Sequence, residues 1–161
     1  MSAQPLSLHA GRVLPEWIDY NGHMNVAYYV LAFDHASDRL FDHFDLGEAY
    51  RRATDHSVFV LEAHVTYGRE LKAGDPFAIT TQLIEADAKR LHFFHRMLHG
   101  TEGYLAATIE LMTLHVNLQG PKSAPFPAAS AAKIEQALAA HRQLPPPPQL
   151  GRRIGLGSHP A

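Results

Sequence analysis

The chemistry this chain could perform is concentrated in Asp19-Tyr20-Asn21-Gly22-His23-Met24-Asn25, where a carboxylate, a permissive glycine, an imidazole and an amide fall within seven residues. A stretch of helical periodicity begins at Val26. Such a helix aims unsatisfied N–H groups and a partial positive charge at whatever precedes it. An acyl carbonyl held there would be polarised, and the oxyanion formed on attack would be stabilised by the same donors. Asp19 can act as nucleophile or as general base, or can simply cap the turn. His23 could bind the carbonyl oxygen, move a proton to a leaving group or brace the turn. Asn25 suits an N-cap or an orienting amide, and Gly22 lets the backbone approach closely or take a positive φ.

Those residues need a scaffold, and periodicity supplies its outline. Tyr29, Val30, Phe33, Leu40, Phe41 and Phe44 recur mostly at three- and four-residue steps, with Asp34, Asp38, Arg39 and Asp42 on the other face, which predicts a helix from Asn25 or Val26 to about His43. A short helix follows at about Glu48–Arg52. Four segments, 57–69, 77–84, 90–99 and 104–118, are β-branched or aromatic and roughly alternating, so they read as long strands. Gly74-Asp75-Pro76, Asp87-Ala88-Lys89 and Gly100-Thr101-Glu102-Gly103 are the turns between them. The run Gly11–Ile18, interrupted by Pro15, reads as an edge or entry strand. Ala128–Leu144 is alanine-rich and helical, and Pro145–Pro148 ends it. The fold class expected is α+β, a curved antiparallel sheet wrapped around one long helix. Residues 1–127 form the main body, and 128–161 add a helix and a Pro/Gly-rich tail to the same domain. A single central helix leaves sheet edges uncovered, so a homodimer or homotetramer is expected.

Bulk properties narrow the field. The 161 residues suit one domain, and 46% hydrophobic against 19% charged residues mark a folded chain. With a net charge of −2 there is no basic field, so no nucleic-acid partner is expected. No apolar stretch reaches membrane-span length and Met1–Leu8 lacks a signal-peptide pattern, so neither a membrane partner nor export is expected, and the location expected is cytoplasmic. The absence of cysteine removes thiolate metal sites and thiol nucleophiles. Twelve histidines are present, yet His92, His95 and His99 lack metal-ligand spacing: on a strand His95 and His99 share a face and His92 opposes it. No metal and no cofactor are expected.

The motif, followed by Tyr28 or Tyr29 near a helix start, resembles the signature of the 4-hydroxybenzoyl-CoA thioesterase-like branch of the hotdog superfamily over roughly Leu8–Pro127. A longer run is more specific. Pro15-Glu16-Trp17-Ile18 leading into the motif, then Asp87-Ala88-Lys89-Arg90-Leu91-His92 and His115-Val116, resembles the thioesterase-like domains found fused to carnitine dehydrogenases or standing alone beside them. The resemblance implies hydrolysis of an acyl-CoA, specifically betainyl-CoA to glycine betaine, and a functional link to a carnitine dehydrogenase. Asp19, His23 and Asn25 take the catalytic positions, and Gly22 and Met24 are placed with the substrate. A trimethylammonium acyl group favours aromatic faces, which Trp17, Tyr20 and Tyr28 could offer, and Glu62 with His64, two apart on one strand face, could add a carboxylate. Arg69, Lys72, Lys89 and Arg90, at strand ends and turns, are the cations available to CoA phosphates. Two other roles suit the same fold: an acyl-CoA-binding subunit without catalysis, and a hotdog dehydratase, whose motif is absent.

Overall fold

The computed structural model describes residues 2–157. Its first strand is β1, Leu6–Arg12; a 3-10 turn, Pro15–Trp17, follows, then α1, Val26–His43, and α2, Glu48–Thr54. Next come β2, His56–Tyr67; β3, Pro76–Ala86; β4, Arg90–His99; β5, Leu105–Asn117; the two-residue β6, Lys122–Ser123; and α3, Ala128–His141. The sheet is antiparallel in the order β1-β3-β4-β5-β2, with β6 beside the end of β5. This is the hotdog architecture, and the four long strands and the long helix fall where the periodicity places them.

The first strand is a correction. The expected strand Gly11–Ile18 is instead the end of β1 followed by the 3-10 turn. Proline at the first position of that turn gives up no hydrogen bond there, whereas inside a strand it would interrupt the ladder. The residues that do pair with β3 lie earlier, with Leu6 opposite Thr81 and Arg12 opposite Pro76.

Helix α1 buries Tyr29, Ala32, Phe33, Ala36, Ser37, Leu40 and Phe41, one stripe at helical spacing. Ala32 and Ala36 let its axis come close to the sheet, and Phe41 meets Phe93 edge to face with centroids 6.1 Å apart. The sheet face turned to α1 carries Ile79, Leu83, Leu91, Phe93, Met97, Ile109 and Leu111. His95 stands among them at 0% exposure. Its two ring nitrogens are satisfied by Ser37 Oγ at 2.9 Å and Thr81 Oγ1 at 2.8 Å, and Phe33 stacks on it. Burial pushes its pKa down to about 3, so this histidine is a neutral core residue.

Beyond α3 the chain returns across the opposite face of the sheet. Gln82 Nε2 donates to the Pro145 carbonyl at 3.3 Å, Pro147 is buried, and Gly151 N–H donates to Glu110 Oε1 at 2.7 Å. Strand β2, by contrast, forms an open edge of the sheet. Its Phe59, Val60 and Leu61 are exposed, as are Val26, Val30 and Leu31 on α1. Among the described residues no helix is long and apolar enough to cross a membrane.

Candidate active site

The motif closes into a tight loop before α1. Ile18 and Met24 pair as an isolated antiparallel bridge, Gly22 N–H donates to the Asp19 carbonyl at 3.0 Å, and Asn25 N–H donates to the Trp17 carbonyl at 2.9 Å. Gly22 takes φ +85°, in the left-handed region where a side chain is strained. Met24 is buried, and its N–H donates to the Leu71 carbonyl at 2.8 Å. That bond fastens the loop to the connection between β2 and β3.

Asn25 holds the loop to the helix with one side chain. Its Oδ1 accepts the Ala27 N–H at 3.0 Å, as an N-cap should, while its Nδ2 donates to Asp19 Oδ2 at 2.8 Å. The other carboxylate oxygen of Asp19 accepts the Asn21 N–H at 2.8 Å. These donors, with smaller help from His23, hold the Asp19 carboxyl below its usual pKa. It is therefore a fixed, ionised carboxylate at a helix N-terminus throughout the neutral range. That suits attack on an electrophile, or orientation of a water, better than storage of a proton.

A cavity of about 150 Å³ opens beside the end of the loop, lined by His23, Met24, Val26, Tyr29, Tyr67, Gly68, Arg69, Glu70 and Ala106. Two tyrosines outside the expected substrate-binding set define its walls. Tyr29 Oη accepts the Leu71 N–H at 3.0 Å, and Tyr67 Oη donates to the Val26 carbonyl at 3.2 Å. Periodicity assigns Tyr29 to the core and Tyr67 to a strand end. The motif resemblance, which leaves Tyr28 and Tyr29 as alternatives, is the one signal near Tyr29, and no local signal marks Tyr67.

The other site residues divide. Trp17 and Tyr28 stack at 5.5 Å with an interplanar angle of 12°, forming an aromatic surface next to the loop. Tyr20 is 98% exposed and joins no cage among the described residues. Arg69 lies over the Tyr104 ring at 4.0 Å, and Lys72 N–H is tied to Asp75 Oδ2 in the same end of the molecule as the motif.

Two expectations need correction. Glu62 and His64 do share a strand face, but it is the face turned away from α1, opposite Met112 and Glu110. They line a separate cavity of about 320 Å³ with His92, Glu110 and Arg152, and do not converge on Asp19 within the chain. The reason is register: the inward partners on β5 are Ile109 and Leu111, and the irregularity between Val60 and Glu62 resets the alternation upstream. Lys89 and Arg90 are likewise displaced, since the β3–β4 turn lies at the opposite end of the sheet from the motif. Arg90 is held there by Asp87, its Nε donating to Asp87 Oδ2 at 2.7 Å, and Lys89 Nζ donates to Ser123 Oγ. Among the described residues no three His, Asp or Glu side chains are grouped as metal ligands.

Known proteins resemble this chain over most of its length. Residues 13–134 match the Thioesterase-like superfamily. A betainyl-CoA thioesterase of Pseudomonas aeruginosa is 44% identical over 96% of this chain and 97% of its own length. An L-carnitine dehydrogenase/betainyl-CoA thioesterase of Rhizobium meliloti is 38% identical over 94% of this chain, which corresponds to 30% of that longer protein. A Staphylococcus aureus protein solved in complex with CoA superposes with a TM-score of 0.89 at 32% identity, covering 98% of both chains.

Proposed function

The chain belongs to the thioesterase-like superfamily and is an enzyme of the thioesterase class, and from that premise we propose that it hydrolyses betainyl-CoA to glycine betaine and CoA, with Asp19 as its catalytic carboxylate. The observation that carries the assignment to Asp19 is the double hold on its carboxylate, one oxygen on Asn21 and the other on Asn25, at the start of α1. A thioester seated against the helix N-terminus has its carbonyl polarised by backbone N–H groups. Asp19 then either attacks the carbonyl carbon, giving a mixed anhydride that water hydrolyses, or takes a proton from the water that attacks; in both cases CoA leaves as its thiolate. His23, on the cavity wall, stands where it can protonate that thiolate.

The acyl preference rests on the Pseudomonas aeruginosa relative and on the Trp17–Tyr28 stack, because a quaternary ammonium is attracted to aromatic faces. Fusion of similar domains to L-carnitine dehydrogenases supports a functional link with that oxidation. Incubation with betainyl-CoA, acetyl-CoA and longer acyl-CoAs, following free thiol, tests the reading. Fastest thiol release from betainyl-CoA is expected, and no release from any ester would refute it.

A second copy of the chain completes the site in this reading. The 150 Å³ cavity is smaller than the roughly 300–1,000 Å³ of ordinary ligand sites. The exposed apolar residues of β2 and α1 lie along an open sheet edge, a surface that pairing of two β2 strands would cover.

A further inference from the structure

We infer that the C-terminal arm, residues 148–155, forms the phosphate-binding wall of the acyl-CoA site, with Arg152 and Arg153 as its cationic contacts. The inference rests on the acyl-CoA reading above and gives that substrate a place for its nucleotide half.

The arm is set down by a built anchor. His92 Nε2 is 2.8 Å from Glu110 Oε2, and its Nδ1 is 3.1 Å from Glu85. Glu110 uses its remaining oxygen to accept the Gly151 N–H. Gly151 adopts φ +71°, which turns the chain at that point. Four consecutive prolines precede the turn and limit the conformations the arm must lose on docking. Arg152 N–H closes the turn on the Gln149 carbonyl at 3.1 Å.

The result is a concavity of about 250 Å³ between Arg152–Gly155 and His64–Tyr67 of β2. Its lining residues include Arg152, Arg153, His64 and Thr66, whose hydroxyl is paired with that of Thr108, and among the described residues no acidic one joins them. The neighbouring cavity on the same face holds Glu62 and Glu110 together with Arg152. Arg152 borders both cavities, while Arg153 lines only the acid-free one, so the acids gather at the anchor and Arg153 lies beyond it. Arginine is the side chain best suited to grip phosphate oxygens, through paired N–H donors.

Tyr67 connects this concavity to the chemistry. It borders both the arginine concavity and the cavity that holds His23, and its hydroxyl is bonded to the first carbonyl of α1. A ligand with its thioester at Asp19 can thus pass Tyr67 and lay its phosphates on the arm. Lys89 and Arg90, at the far end of the sheet, are not available in the same chain for that duty.

The test compares coenzyme A with pantetheine, which lacks every phosphate, on the wild-type protein and on Arg152→Ala/Arg153→Ala. Calorimetry should show coenzyme A binding weakened about 10- to 100-fold in the double variant, the loss expected for two charge-assisted contacts, with pantetheine binding unchanged. In hydrolysis the KM for betainyl-CoA should rise by the same factor with kcat held, while S-betainyl-pantetheine shows no difference. Arg152→Lys/Arg153→Lys should recover part of the affinity. Equal coenzyme A binding by wild type and double variant overturns the inference, as does a matching loss for both ligands, which would make the arm merely structural. If coenzyme A binding depends on the arginines but no ester is hydrolysed, the inference stands and the thioesterase reading of this chain fails.

Discussion

At the residue scale the site is an economy of donors. Asp19 receives two hydrogen bonds, and Asn25 supplies one of them while capping α1 with its other atom. The Trp17–Tyr28 stack lies against the loop that carries this carboxylate, and in the proposed function it is the π surface for the acyl group. A cation over such a surface gains about 0.5–2 kcal/mol. Trp17→Ala should therefore raise the KM for betainyl-CoA roughly 3- to 30-fold and leave that for acetyl-CoA nearly unchanged, a difference that steady-state kinetics on the two esters would read. The grouping of Asp19, Gly22, His23 and Asn25 in one loop is legible in the sequence because their spacing is local and one turn brings them together. Glu62 and His64 were legible as a pair sharing a strand face, but which face that is depends on the pairing of β2 with β5, and no local pattern carries that. The same holds for Tyr67, whose role comes from a contact with Val26 forty-one residues away.

At the element scale the loop and α1 act as one unit. The helix dipole reaches the substrate only if the first turn is capped and the loop is held against it, and Asn25 does both. Asn25→Ala should lower stability by about 1 kcal/mol through the lost cap and should also release Asp19, so both the denaturation midpoint and kcat fall. Asn25→Ser keeps a capping oxygen but has no amide to offer Asp19. Stability should then recover while kcat stays low. Recovery of both would show that Asn25 matters only as a cap. The helix and the four long strands were readable because their periods of 3.6 and 2 repeat over ten or more residues. The first strand was misplaced because Pro15 and Trp17 continue an apolar run past the point where pairing with β3 ends.

At the scale of the whole molecule, one exposed edge and one set of buried groups govern assembly and pH response. One is the open β2 edge with Leu61 55% exposed and Val60 beside it. A second copy on this edge predicts a solution mass of at least twice 17.8 kDa, and Leu61→Lys should shift the species toward monomer in sedimentation. A wild-type mass of 17.8 kDa at micromolar concentration would refute that pairing. The other is the set of sequestered histidines: His9, His95, His115 and His141 all have pKa values lowered chiefly by burial. Each folded-state value lies below the unfolded value of about 6.5, so below that pH the unfolded chain binds more protons than the folded one. Stability should be flat in this respect above pH 7 and should decline as pH falls through 6.5. For His95, folded-state pKa about 3, the slope approaches about 1.4 kcal/mol per pH unit. Denaturant midpoints at pH 7.5, 6.5 and 5.5 would show the decline, and a constant midpoint would contradict it. None of these histidines could be assigned to the interior from the sequence, where twelve of them are scattered without a period. The arm also lay beyond sequence reading: Arg152 and Arg153 are legible as a charged pair, but the anchor at Glu110 that aims them is a contact across forty-one residues. The end of that tail, from Ser158, lies outside the described residues.

The central claim is that the carboxylate of Asp19 carries out thioester hydrolysis, and kcat/KM for betainyl-CoA in Asp19→Asn tests it most directly. The substitution keeps the size of the side chain and an oxygen to accept from Asn21, so the fold should be unaffected by circular dichroism. A fall of about 100- to 10,000-fold at neutral pH is expected when the acting base or nucleophile is removed. A correctly folded Asp19→Asn protein that retains wild-type turnover would contradict the account.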